Sequence, residues 1–315
     1  MINIFYRSGS EILSAATETE FASLQRDQVI WVDLMDPTGE EKRATEAFLG
    51  TEIQSRAQAE EIESSSRFSE TGNAIFANTN YISPEGDELS EDPVSFTVVD
   101  DTLATLRDIP LRSFTLLQRK MMARPKLYRD GFSVFVAILD QRVDLDADII
   151  ELMGKDTAQF SKRINQQEDI NEDFLLDINQ LQENCMVVRE SVVDKQRLIS
   201  NLLKSPNCPD ELEPKLGVLL QDISSLINHT NFTFERLEFL QDTVVGLINL
   251  DQNRIMKIFT LISVLLMPAT LVASFYGMNV SLPLDGKWWA WIFILALMLL
   301  IVAAIWIVFR RKKLM

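Results

Sequence analysis

Ile258-Phe259-Thr260-Leu261-Ile262-Ser263-Val264-Leu265-Leu266-Met267-Pro268-Ala269-Thr270-Leu271-Val272-Ala273-Ser274-Phe275 runs for 18 residues without a charge, and Trp288 to Phe309 runs for 22 without a hydroxyl, amide or charged side chain. Each stretch is long enough to cross the ~30 Å hydrocarbon layer of a bilayer. The alternative, a buried core hairpin, fits poorly with 22 wholly apolar residues. Arg254 and Lys257 precede the first run, and Arg310-Arg311-Lys312-Lys313 follow the second. The connecting segment from Tyr276 to Lys287 carries only Asp285 and Lys287. An excess of basic residues marks the cytoplasmic side. The expectation is an integral two-pass protein of the cell's inner (plasma) membrane, with both termini cytoplasmic and a short outer loop. Trp288, Trp289 and Trp291 then fall in the outer interfacial belt and Trp306 near the inner one.

Everything before these spans is acidic. Residues 1–250 hold 44 of the 46 acidic and 23 of the 30 basic residues, a net charge of −21, whereas residues 251–315 carry +5. Such a body does not bind nucleic acid, whose phosphates require Lys and Arg. It attracts cations, although a solvated, self-repelling surface explains the charge equally well. Cys185 and Cys208 form neither a metal-ligand spacing nor a disulfide framework. With His229 as the single histidine and no nucleophile constellation, an enzyme is not expected. The start, Met1-Ile2-Asn3-Ile4-Phe5-Tyr6, lacks the charged and apolar regions of a cleavable signal.

Residues 1–130 read as an α/β cytoplasmic domain. Strands are expected at Ile2–Arg7, Val29–Leu34, Asn73–Ile82 and Val94–Arg107, the last a hairpin turning at Asp100-Asp101. Helices are expected at Glu40–Phe48, opened by Pro37-Thr38, and around Gln54–Ser64. Residues 131–212 read as an acidic helical hairpin breaking near Gln166–Ile170. After Pro214 no strong breaker occurs until Pro268, so one helix is expected from about Glu213 through the first span. Residues 213–257 form its stalk and 258–279 its membrane part. An outer loop (280–287), a second membrane helix (288–309) and a basic tail (310–315) complete the chain. A helix of roughly 60 residues reaches ~90 Å and cannot be stable alone, so it must pack in a bundle.

Alternating steps of four and three along that helix visit Asp242, Gly246, Asn249, Asn253, Met256, Thr260, Ser263, Met267, Thr270 and Ser274. All four hydroxyl residues of the first span fall on this stripe. Such spacing defines one helix face. Small residues also let membrane helices approach closely, which explains Ser263 and Ser274 but not the continuation through Asn253, Asn249 and Asp242. One such face per subunit, in a ring of identical subunits, encloses a polar axial path with methionine constrictions at Met256 and Met267. The second span, lacking a polar face, belongs outside, against lipid.

Directly after the first span stands Tyr276-Gly277-Met278-Asn279, preceded by Asn253-Arg254-Ile255-Met256-Lys257 and Met267-Pro268-Ala269-Thr270. In this order and spacing the segments resemble the Gly-Met-Asn signature region of the CorA magnesium/cobalt transporter family. Trp31-Val32-Asp33-Leu34-Met35-Asp36-Pro37, Glu60-Glu61-Ile62-Glu63-Ser64-Ser65-Ser66-Arg67-Phe68 and Phe96-Thr97-Val98-Val99-Asp100 resemble the family's cytoplasmic domain. The outer loop departs: Leu282-Pro283-Leu284-Asp285 stands where the family often has Met-Pro-Glu-Leu. The resemblance implies a funnel-shaped homopentamer that carries Mg²⁺, with Co²⁺ and Ni²⁺ commonly accepted and no organic cofactor. It implies a selectivity filter at Gly277, Met278 and Asn279, with metal contacts from Gly277 and Asn279 and an acidic pore ring at Asp242. It further implies closure by cytoplasmic Mg²⁺, for which Asp87, Glu88, Asp222 and the hairpin helices offer carboxylates. Two other readings stay open: a zinc or other divalent-cation transporter of the same architecture, and a membrane-anchored coiled-coil scaffold.

Overall fold

In the computed structural model, which describes residues 1–54, 67–166, 170–278 and 287–311, the β-branched and aromatic runs of the N-terminal part assemble into one mixed sheet. Its strands are β1 (Ile2–Ser8), β2 (Glu11–Ala15), β3 (Val29–Met35), β4 (Phe68–Thr71), β5 (Ala74–Glu85), β6 (Glu88–Val99) and β7 (Thr102–Arg107). They lie in the order β2-β1-β3-β7-β6-β5-β4, with β3 and β7 parallel and every other neighbouring pair antiparallel. The hairpin at Asp100-Asp101 forms as expected. Asp100 adopts φ 51°, a left-handed conformation that Asp tolerates in turns.

Helices cover both faces. On one, Ile2, Ile4, Val32 and Leu34 pack with Leu49 and Phe48 of α1 (Gly39–Leu49). That helix opens on a reciprocal cap in which the Glu41 amide donates to Thr38 Oγ1 (3.2 Å) and the Thr38 amide donates to Glu41 Oε2 (2.8 Å). On the other face Trp31 stacks on Phe5 at 4.8 Å and meets Phe114 of α2 (Arg112–Ala123) at 5.7 Å, while Phe96 meets Phe135 of α3 (Gly131–Gln166) at 4.8 Å. A Cβ on Gly131 would collide with the backbone of Asp101, Thr102 and Leu103, so only glycine lets α3 start against the β6–β7 turn.

β4 reaches only as far as Ala77 on β5, and among the described residues no other strand pairs with the rest of that edge. Helices fill the gap. From α4 (Glu172–Leu202), Ser191 Oγ and Lys195 Nζ each donate to the Asn80 carbonyl at 3.0 Å, and Arg142 of α3 donates to the Ile82 carbonyl at 2.9 Å. Pro93 of β6 pairs with Asn80 on β5 but lies beyond the β7 ladder, where its missing N–H leaves no partner unmet.

The breaks foreseen in the helical part occur: α3 ends at Gln166, α4 starts at Glu172 on an Asn171 cap, and α5 runs unbroken from Glu213 to Tyr276. The last helix, α6, spans Ala290–Arg311. The expected helix around Gln54–Ser64 falls almost wholly outside the described residues. Two compact units divide at residue 242, one comprising Met1–Asp242 and the other Thr243–Met315.

Candidate functional site: the exposed face of α5 and the β5–β6 tip

α5 and α6 each contain a stretch long and apolar enough to cross a membrane, and none of either stretch is buried within the chain. Within the second unit, coverage is one-sided. On α5 the partly covered residues of the span are Leu261, Leu265, Pro268, Ala269, Val272 and Tyr276; on α6 they are Ala290, Ile294, Leu297, Met298, Ile301, Val302, Ile305 and Phe309. Each set falls on one helix face at 3.6 residues per turn, as in two apolar helices lying side by side.

All ten stripe residues, Asp242, Gly246, Asn249, Asn253, Met256, Thr260, Ser263, Met267, Thr270 and Ser274, are exposed, with Met256 63% and Met267 67% accessible. At 100° per residue, the centre of the stripe within the span lies ~160° from the centre of the covered face. The hydroxyl-bearing side of α5 therefore points directly away from its half-buried side. Thr260 and Thr270 donate back to the carbonyls of Met256 and Leu266 at 2.8 and 3.0 Å. That bond satisfies a hydroxyl in an apolar layer and leaves its oxygen lone pairs available to a passing ligand.

At the end of α5 the Gly277 amide donates to the Ala273 carbonyl at 3.0 Å and the Met278 amide to Phe275 at 3.4 Å. Gly277 is not in the left-handed region. A Cβ placed there would come 3.2 Å from the Ala273 carbonyl oxygen and 3.6 Å from that of Ser274, a tight fit rather than a conformational prohibition. Met278 is 55% exposed. Asn279 and Asp285 lie outside the described residues.

The three carboxylates considered for regulation do not meet in one chain. Asp87 and Glu88 sit, exposed, at the β5–β6 turn, which borders a cleft of about 450 Å³ shared with Asp156 and Phe160 of α3 and Asp177 of α4. Asp222 instead acts on Asp144. The Asp144 carboxyl is raised above its ordinary range by partial burial and then by repulsion from Asp140, with Asp148 and Asp222 adding to this and Lys120 opposing it. Among the described residues, no group of three Asp, Glu, His or Cys side chains is close enough to hold a metal ion.

A feature that residue patterning did not reveal is a buried charged cluster on the same helices. Arg142 Nε donates to Asp146 Oδ1 at 2.8 Å and Lys195 Nζ approaches Asp146 Oδ2 at 3.2 Å, with Asp146 and Lys195 fully buried. Both cations lie over the Tyr81 ring, at 5.3 and 5.7 Å. Burial lowers the Lys195 pKa, Asp146 opposing it and Arg142 adding to it. A run of polar residues on a helix gives no sign of which will point inward; the periodicity of Val134, Ile138 and Ile150 around Arg142 and Asp146 was the available signal.

The family model described as "CorA-like Mg2+ transporter protein" matches residues 26–311. The magnesium transport protein CorA of Wolinella succinogenes is 31% identical over 319 residues, covering 99% of both chains. That of Haemophilus influenzae strain Rd is 30% identical over 308 residues, covering 95% of this chain and 98% of its own. Among solved structures, the complete CorA magnesium transporter from Methanocaldococcus jannaschii superposes with a TM-score of 0.81 at 18% identity, over 99% of this chain and 98% of that one; this likeness speaks to the fold.

Proposed function

This chain belongs to the CorA-like Mg²⁺ transporter family, and we propose that it assembles as a homopentamer in the inner membrane and conducts Mg²⁺ inward, without ATP, along an axial path lined by α5. The observation that carries this reading is the opposition of faces: the polar stripe of α5 is exposed and points away from the face that is half-covered within the chain. Copies packed around an axis would turn the stripe inward and leave α6 against lipid. Both termini then lie in the cytoplasm, with residues 277–279 at the outer mouth as the selectivity site and Asp242, Asn249 and Asn253 continuing the path inward.

Mg²⁺ sheds water reluctantly and demands octahedral geometry. Carbonyl and amide oxygens at Gly277 and Asn279 suit contact with an ion that keeps its hydration shell. Anionic ligands there would hold a dication too tightly for release, and conduction needs weak successive sites. An inside-negative potential contributes about 2.3 kcal/mol per charge per 100 mV, twice that for a dication. Mg²⁺ flux into liposomes holding the purified protein tests the reading. Flux of Zn²⁺ but not Mg²⁺ would favour the zinc-carrying alternative, and no flux of any divalent cation would favour the scaffold.

The pore assignment makes a labelling prediction. In a background lacking Cys185 and Cys208, cysteines at Thr260, Ser263, Met267 and Thr270 should react with small water-soluble thiol reagents. Cysteines at Leu261, Leu265 and Val272, on the covered face, should not. Equal labelling of the two sets would remove the stripe argument.

We further propose that cytoplasmic Mg²⁺ closes the path by binding carboxylates on neighbouring copies, with Asp87, Glu88 and Asp222 as contributors. The net charge of −21 on residues 1–250 makes the body self-repelling, and dications bridging copies would relieve that repulsion. Millimolar Mg²⁺ should therefore slow proteolysis of this body in the full-length protein, because a bound ligand stabilises the state it prefers. Equal protection by NaCl of matched ionic strength would show screening alone.

A further inference from the structure

We propose that Asn184 is the positioning residue of the β5–β6 tip, setting the Mg²⁺ concentration at which the tip carboxylates act; this rests on the reading of Asp87 and Glu88 as Mg²⁺ contributors. The tip is a turn at Gly86-Asp87, with Gly86 at φ 68°, at the end of two twelve-residue strands. An exposed turn of this kind has little to hold it: Asp87 and Glu88 are exposed, and among the described residues no strand pairs with the outer edge of β5 beyond Ala77.

Asn184 of α4 hydrogen-bonds it from outside the hairpin. Asn184 Nδ2 donates to the Asp87 carbonyl at 2.8 Å, and its Oδ1 accepts from the Leu89 amide at 3.2 Å. A single amide thus clamps the backbone on both sides of Glu88, using its donor and its acceptor at once. Gln180, one turn earlier on α4, donates to the same Oδ1 at 3.5 Å. Further along α4, Ser191 and Lys195 grip the Asn80 carbonyl. Residues 184, 191 and 195 recur at helical spacing, so one face of α4 is fastened to the middle of β5 at Asn80 and to the hairpin tip at Asp87 and Leu89.

The chemistry explains why asparagine is suited to this position. An aspartate keeps the acceptor for Leu89 but loses the donor to Asp87 and adds a charge beside two carboxylates. A leucine fills similar space and makes neither bond. Without the clamp the two tip carboxylates sample many directions, and the ordering must be supplied when the ion binds. The consequence is a weaker response to Mg²⁺ with the pore untouched.

The test measures Mg²⁺ flux into liposomes containing the full-length protein while internal Mg²⁺ is varied, for the wild type, Asn184→Leu and the double variant Asp87→Asn/Glu88→Gln. Asn184→Leu should raise the internal Mg²⁺ needed for half-maximal closure about fivefold, the scale of one net hydrogen bond, with maximal flux and melting temperature unchanged. The double variant should raise it at least as much. An unchanged midpoint for Asn184→Leu beside a shifted double variant overturns the positioning role alone. An unchanged double variant overturns the tip as a Mg²⁺ site, and the positioning role with it. Loss of maximal flux and melting temperature in step, with no separate midpoint shift, would reduce Asn184 to a structural residue.

Discussion

Asn279→Ala is expected to abolish Mg²⁺ uptake by a fully assembled protein, and Gly277→Ala to do the same, whereas Met278→Leu keeps substantial activity. The argument begins with position: residues 277–279 follow directly on α5, whose exposed polar face ends at Ser274. An incoming ion with its water shell needs neutral oxygens that accept from that water. Asn279 supplies a side-chain amide oxygen, and alanine supplies none. One net hydrogen bond is worth about 1 kcal/mol; repeated around the proposed five-fold ring, the loss is about 5 kcal/mol, or more than three orders of magnitude in flux. At Gly277 the effect is steric. A new Cβ would stand 3.2 Å from the Ala273 carbonyl oxygen, so the end of α5 must give by a few tenths of an ångström, a displacement repeated in every copy of the proposed ring. Met278 offers only a thioether, a poor partner for a hard ion, and leucine matches its volume. Size-exclusion chromatography would establish that each variant still assembles. Wild-type uptake by assembled Asn279→Ala would end the assignment of selectivity to this segment.

Much of the architecture was legible because it follows from simple periodicities. The two spans needed only a count of apolar residues, and α5 only the absence of a breaker between Pro214 and Pro268; its observed limits, Glu213–Tyr276, match the expected ones closely. The strands at Ile2, Val29 and Ala74 were visible as runs of β-branched and aromatic residues. β2 was missed because Glu11–Ala15 buries only Ile12 and shows no alternation. β4 is four residues long and buries none, so it left no pattern. α2 was readable in principle, since Phe114, Leu117 and Met121 recur at helical spacing and are buried. The polar stripe was found from sequence because hydroxyl residues in an apolar span are few and their spacing is informative. What sequence could not give is its relation to the covered face of α5, since that depends on where α6 lies. The contacts of Asn184 and Lys195 were likewise hidden, because Lys195 caps a β5 carbonyl beyond the reach of β4 and Asn184 meets the backbone of a turn 97 residues earlier in the chain.

Removing the carboxylate at the centre of the buried cluster should destabilise the protein more than any other single change on the α3–α4 hairpin. Asp146→Ala leaves Arg142, 4% exposed, and Lys195, 0% exposed, facing each other without an anion. Breaking a buried pair by deleting one partner costs about 3–5 kcal/mol, because the charges left behind have neither water nor counter-ion. Lys195 has a partial escape. Burial already lowers its pKa, and losing Asp146 would lower it further, toward a neutral amine that can still donate to the Asn80 carbonyl. Arg142 has no such route, since guanidinium stays charged. The variant's apparent melting temperature in detergent should fall by about 10 °C, taking 2–4 °C per kcal/mol for a unit of this size. Arg142→Met/Asp146→Leu/Lys195→Met should recover part of that loss, having no stranded charge. It should not recover all of it, because the Ile82 and Asn80 carbonyls each lose a donor that no strand replaces. A triple variant no more stable than Asp146→Ala would mean that the cations matter mainly as caps for the β5 edge. A single variant within a degree or two of the wild type would mean that the cluster contributes little to holding the hairpin on the sheet.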